Sequence, residues 1–165
     1  MLEDLKVIEF AEGIAGPLAA LRLAELGAQV TKVEEGEGDY MRQAFPKPSG
    51  AEDAAAFIEL NRGKRAVVLG ASREEAARVL RALVRTADVL ITDRSDARLT
   101  ELGVSDLVDA SEGGESKLIV ISISALGRRG PIAERKGSEL TALRAKAPAR
   151  SGRFWLLSRL PLPPT

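Results

Sequence analysis

The chain has 165 residues, enough for one domain of ordinary size, and 45% of them are hydrophobic but only 4% aromatic. Cysteine and histidine are both absent, which excludes disulfides, thiolate chemistry, zinc–thiolate sites and any Ser-His-Asp or Cys-His catalysis within the chain. The formal net charge is zero and argues against a general nucleic-acid binder.

Residues 6–10, KVIEF, read as a first short strand. The segment GIAGPLAALRLAELGA at 13–28 reads as a helix. Pro17 suits its first turn and Gly27 its end. QVTKVE at 29–34 reads as the second strand, so that strand, helix and strand fit a βαβ unit of about 30 residues. GEGDYMRQAFPKPSG at 36–50 is a loop by its Gly and Pro content. EDAAAFIELNRGK starts as a short helix and stops at Gly63, and RAVVLG is the third strand.

SREEAARVLRALVRTA at 72–87 is the clearest helix. Ser72 caps it, Glu75 completes a capping box, and Ala76, Val79, Leu80 and Leu83 make one face. DVLIT at 88–92 is the fourth strand, RLTELGV and SDLVDAS are short helical turns, and KLIVISISA at 117–125 is the fifth strand. Strands alternating with helices predict an α/β, Rossmann-like, doubly wound and mainly parallel sheet covered on both faces.

No apolar run reaches the roughly 18 residues of a membrane span. The start MLEDLKVIEF carries acids early and does not read as a signal peptide. A cytoplasmic protein with no membrane or nucleic-acid partner is therefore expected. The zero net charge hides an asymmetry. Residues 141–165 hold Arg144, Lys146, Arg150, Arg153 and Arg159, no acid, and four of the eight prolines.

Ligands of open α/β sheets bind beyond the carboxyl ends of strands. Gly13 and Gly16 precede a helix N-terminus, where backbone N–H groups can hold an anion. A tight turn with Gly for close packing explains them equally well. Glu34, at a strand end, has the position of a ribose acceptor, with Gly38, Asp39 and Arg42 after it. A solvated surface loop explains these residues too. NRGKR, with Asn61, Arg62, Gly63 and Lys64, puts a positive knot on a turn suited to phosphate. It precedes a strand, however, which places it at the other edge of the sheet. ISALGRRGP at 123–131 repeats the basic, Gly-containing pattern after the last strand.

Taken in order, these pieces resemble the N-terminal part of the family III CoA-transferases of the CaiB/BaiF type, which include formyl-CoA and carnitine CoA-transferases and the methylacyl-CoA racemases. The likeness is carried by LEDLKVIEFAEGIAGPLAALRLAELGAQVTKVE, by Gly38, Asp39 and Arg42, and by NRGKRAVVL, ADVLI, the Leu102–Gly103 pair and LIVISISALGRRGP. The resemblance implies that this is part of the large domain of that fold and that the loops bind coenzyme A, as a CoA thioester substrate, with no metal. Ile14 and Ala15 would lie against the nucleotide. Asn61, Arg62, Gly63 and Lys64 match the segment beside the CoA phosphates and adenine. Asp93 and Arg94 stand in the loop after the fourth strand, where relatives often carry Asn or an aromatic residue. Glu35 replaces a residue that is usually Pro or basic.

In such transferases an aspartate attacks the acyl-CoA carbonyl, forms a mixed anhydride and then an enzyme-bound CoA thioester, and the acceptor acid takes over the CoA. That aspartate lies tens of residues beyond the Gly130–Pro131 turn, and this chain has no Asp after Asp109. No catalytic residue is assigned, and the chain alone is expected to be inactive. The racemases use a downstream His, which disfavours that branch. Residues 1–140 read as an incomplete N-terminal α/β domain and 141–165 as a divergent basic Pro/Arg-rich tail. The abrupt change fits a gene truncated by a frameshift near codon 141; a natural short variant is the alternative. A half-protein completed by a second chain and a non-catalytic scaffold are the other functional readings. The resemblance implies interlocked homodimers in the full-length family and a C-terminal segment that completes the first domain, so uncovered apolar faces and self-association are expected here.

Overall fold

The computed structural model describes residues 1–114 and 116–128. The expected tail at 141–165, the boundary at 140 and the second half of the 123–131 loop lie outside the described residues. Residues 1–123 make one compact unit, and the described residues of the second unit, 124–128, are irregular.

Five strands form one sheet: β1 (Lys6–Phe10), β2 (Gln29–Glu34), β3 (Arg65–Val68), β4 (Val89–Thr92) and β5 (Ile119–Ser122). Their order is β3-β2-β1-β4-β5, and every pair is parallel. The helices are α1 (Ala15–Glu25), α2 (Ala55–Asn61), α3 (Arg73–Arg85), α4 (Asp96–Glu101) and α5 (Ser105–Glu112), with a 3₁₀ turn at Tyr40–Gln43. The chain winds outward from β1 through β2 to β3, then crosses back through α3 to β4 and β5. The order therefore reverses between β1 and β4, and the crevice at that switch point opens at the carboxyl ends of the strands.

Alternate side chains of the central strands point to opposite faces and build two cores. On one face Ile8, Phe10, Val33 and Leu90 pack against Ala76, Leu80 and Val84 of α3, Leu99 of α4 and Val108 of α5. The Ser72 hydroxyl caps α3 by accepting from the Glu75 amide at 3.5 Å, and Glu74 and Glu75 favour its positive end. On the other face Val7, Val30, Val89 and Ile91 pack against α1 through Ala20. This second face is covered less widely. At its two edges Val68 is 63% and Ile119 58% exposed, and Ile121 is exposed beside Ile119.

β1 and β2 match the sequence reading to the residue. β5 is shorter than the expected 117–125, because among the described residues its ladder partner, β4, ends at Thr92, opposite Ser122. The helix read within 13–28, with Pro17 in its first turn, runs Ala15–Glu25. Gly27, at φ +100°, closes it. Among the described residues, no helix is long and apolar enough to cross a membrane.

Gly16 sets how closely α1 approaches β1. A Cβ on it would overlap the Cβ of Ala11, which the backbone holds in place. Gly16→Ala should therefore push the first turn of α1 off the sheet and cost about 1–3 kcal/mol of stability, measured by urea unfolding. Adding Ala11→Gly should restore part of that loss; no recovery in the double variant would refute the overlap as the cause.

Candidate functional site: charged clusters at the carboxyl half of the sheet

β1 and β2 are buried on both faces, yet each carries a charge in its interior. Glu9 and Lys32 lie opposite each other in register and are fully enclosed. Desolvating either one alone would be very costly, so the fold must pair them. Lys32 Nζ donates to Glu9 Oε1 at 2.8 Å, to Asp39 Oδ2 at 2.9 Å and to the Ala11 carbonyl at 3.0 Å. Lys64 Nζ donates to Glu9 Oε2 at 2.6 Å, to the Pro17 carbonyl at 2.9 Å and to Asn61 Oδ1 at 3.0 Å. Each ammonium has three donors, and all three are used. Two cations and two carboxylates make a neutral, closed set.

The two lysines nonetheless titrate differently. Burial pulls the Lys32 ammonium down, but Glu9 and Asp39 together outweigh it and raise its pKa. Lys64 bonds to one carboxylate, Glu9, with Asp39 acting at longer range. Burial, aided by repulsion from Lys32, outweighs Glu9 and lowers its pKa.

Asp39 joins this set to the loops. Its Oδ1 accepts from the amides of Gly13 at 3.2 Å and Met41 at 2.9 Å. It thus holds the β1–α1 loop and caps the 3₁₀ turn at once. Glu34 is not available to a ribose. Its carboxylate is forked by Arg42, through Nε at 2.9 Å and Nη2 at 2.7 Å, and also accepts the Asp39 amide at 2.9 Å. Burial pushes the Glu34 carboxyl up, but Arg42 and that amide outweigh it and hold the group below its ordinary value. Arg42 also pairs with Asp53 at 2.6 Å and lies 4.0 Å over the Phe57 ring. Gly38, at φ +89°, leaves no room for a side chain: a Cβ would sit 2.6 Å from Glu34 Oε2. Gly38, Asp39 and Arg42, read from sequence as a loop of open purpose, are therefore structural ties.

The predicted site residues divide into three groups. Ile14 and Ala15 are exposed at the start of α1, and no side chain caps that helix. The geometry leaves the Ala15 and Gly16 amides without an intrahelical acceptor. In the second group, Arg62 pairs with Glu25 and with Glu59 at 3.1 Å, half exposed. Gly63 supplies φ +74° for the turn, and Asn61 Nδ2 donates to the Phe57 carbonyl at 2.9 Å. Lys64 points inward with its side chain 1% exposed. β3 enters the sheet opposite Thr31, two residues into β2. The turn before it thus lies high enough for Lys64 to reach Glu9 and the first turn of α1.

Asp93 and Arg94 form the third group, directly beyond β4 at the switch point. Asp93 Oδ2 accepts the Glu12 amide at 3.0 Å, which ties the β1 and β4 loops together. Burial raises the Asp93 pKa. Arg94 Nη2 donates to Glu12, and Arg94 lies 4.9 Å over the Phe10 ring. Glu35 pairs with Arg98 and approaches Arg94 Nε at 3.4 Å. Buried Arg94 Nε and Asp93 Oδ1 make no hydrogen bond. Sequence reasoning missed Glu9 and Lys32, although opposite charges inside two neighbouring strands of an expected parallel sheet were a usable signal.

Lys32→Met should cost about 3–5 kcal/mol in urea unfolding, because it leaves Glu9 and Asp39 buried with one cation between them. A loss under about 1 kcal/mol would show the cluster is not coupled as described. The Glu34–Arg42 pair behaves differently with pH. The folded pKa of Glu34 lies below 4.5, so the pair stabilises fully above about pH 4.5 and less as pH falls through the folded value. In Glu34→Gln the decline of the urea midpoint between about pH 5 and about pH 3 should be shallower than in the parent; an equal decline would contradict the assignment.

Comparisons with known proteins agree on one family. The family model described as CoA-transferase family III matches residues 2–151. Succinate–glutarate CoA-transferase of Agrobacterium fabrum is 37% identical over 142 residues, covering 82% of this chain and 35% of that protein. The human succinyl-CoA:glutarate CoA-transferase is 30% identical over 142 residues, covering 86% and 32%. A solved CAIB/BAIF family protein from Brucella suis superposes with a TM-score of 0.75 at 37% identity, over 85% of this chain and 37% of that one. The chain thus spans about a third of the length of the curated relatives it matches. With the parallel sheet and the match over most of its length, the chain belongs to CoA-transferase family III.

Proposed function

We propose that residues 1–123 form the coenzyme A-holding part of a CoA-transferase, with the nucleotide of a CoA thioester at the β1–α1 turn and the β4 loop. Family membership supports the ligand class. The observation that carries the placement is the start of α1, which opens at the switch point with no side-chain cap and with Ile14 and Ala15 exposed. The Ala15 amide and the helix dipole favour an anion there, and Ile14 offers an apolar surface to the adenine or pantetheine. Arg62, half exposed, and Arg94 and Arg98 beyond β4 are the cations offered to phosphate. In this reading Lys64 acts indirectly. Its ammonium fixes the Pro17 carbonyl and Asn61, and so steadies the turn that does the binding.

The transfer itself needs a carboxylate nucleophile on the enzyme. It attacks the thioester carbonyl, the C–S bond breaks, and CoA leaves as thiolate while an acyl anhydride forms. The 165 residues hold no Asp beyond Asp109, and the acids near the crevice are engaged in ion pairs. The chain alone therefore binds CoA without transferring it, and the acyl group and acceptor acid are not specified by it.

Calorimetric titration with CoA should give a dissociation constant on the order of micromolar, and a transferase assay of the lone chain should show no turnover. Ile14→Asp separates binding from folding. An Asp at that position caps α1 and should keep or raise thermal stability. The same carboxylate repels phosphate and should weaken CoA binding about tenfold or more. Binding absent at millimolar CoA, or untouched by Ile14→Asp, would overturn the placement.

A further inference from the structure

The cations around the crevice are not equivalent. Lys32 and Lys64 have every donor satisfied within the protein. Arg94 has not. Of its five N–H donors, one goes to Glu12, while its Nε, although buried, makes no hydrogen bond. Its approaches to Glu35 at 3.4 Å and Asp93 at 3.5 Å are ion-pair distances only. Arg98, in α4, is shared between Glu35 and Glu101.

These residues come from three separate connections. Glu12 follows β1, Glu35 follows β2, and Arg94 and Arg98 follow β4. All lie at the carboxyl edge of the sheet. Glu12, Glu35, Asp93 and Glu101 surround Arg94 and Arg98, while Arg73 also acts on Glu101 and Lys32 on Asp93. An incoming phosphate therefore meets guanidiniums already engaged by carboxylates.

We propose that Glu35 and Glu12 are affinity-determining residues that compete with the ligand's phosphates for Arg94 and Arg98. Anion binding at this edge exchanges carboxylate partners for phosphate oxygens, and the two glutamates set how strongly the site holds its ligand. The inference rests on the CoA reading of the site. It also explains why an acid at position 35 coexists with two arginines on the facing loop: each compensates the other in the empty site.

The test is calorimetric titration of the full 165-residue chain with CoA, and separately with inorganic pyrophosphate as a bare anion. Glu35→Gln removes one carboxylate from each arginine, leaving Glu12 on Arg94 and Glu101 on Arg98, and partly exposed pairs of this kind are worth up to about fivefold each. Glu35→Gln should therefore bind CoA about three- to tenfold more tightly than the parent, and Glu12→Gln about two- to fivefold. Adding Arg94→Gln to Glu35→Gln should remove most of the gain, which ties it to that guanidinium and not to a general change of charge. Pyrophosphate should follow the same ranking. Parent and Glu35→Gln binding CoA equally, or Glu35→Gln binding it more weakly, would overturn this inference and leave the CoA reading intact. If no form binds CoA but pyrophosphate follows the ranking, the competition stands and the CoA reading falls. If none binds either probe, both fall.

Discussion

A charge cannot be left alone between two layers of apolar packing, and this sheet holds several. Glu9 and Lys32 are interior residues of central strands, and their pairing brings in Asp39 and Lys64 until the charges balance. The consequence reaches well beyond stability. Lys32 binds the Ala11 carbonyl, Lys64 the Pro17 carbonyl, and Asp39 the Gly13 amide. Three buried side chains thus fix the backbone of the β1–α1 loop at three points. A loop proposed to present its amides to a ligand is thereby held from below by buried groups, which would lower the ordering cost of binding.

Much of the fold was legible in the sequence for ordinary reasons. The Val and Ile runs of β1, β2 and β4 and the capped, one-faced pattern of α3 report local burial directly. Where the reading went too far, the reason was tertiary. The apolar run at 117–125 suggests a long strand, but a strand is only as long as its partner, and β4 ends at Thr92. The site was less legible because spacing cannot tell which way a side chain points. NRGKR looks like one positive patch, yet its Lys64 is buried against Glu9 while Arg62 lies on the surface against Glu25. Glu34 stands at a strand end as a ribose acceptor would, and Arg42, eight residues on, occupies it.

The covering of the sheet is unequal. One face has α3, α4 and α5 across it, and its core is the larger. The α1 face leaves Val68 at one edge and Ile119 and Ile121 at the other exposed. β5 alternates exposed and half-buried residues, while β4 beside it is buried throughout. Apolar side chains on the outer strand of a parallel sheet are where a layer normally continues. The matched relatives have about twice as much further chain as the part aligned here.

The contrast between closed and open charge clusters separates structural ties from the proposed binding surface. In the Glu9–Lys32–Lys64–Asp39 set every ammonium donor has a protein acceptor, and any anion approaching Lys64 would have to break a buried pair. At the carboxyl edge the pairs are partly solvated, the donors outnumber the bonds, and carboxylates exceed guanidiniums. Exchanging one partner for another costs little there, since exposed pairs contribute on the order of 1 kcal/mol or less. Positive charge in the sequence is thus a poor guide to anion binding on its own. What distinguishes Arg94 from Lys64 is unsatisfied valence, a property of where each side chain ends rather than of its type.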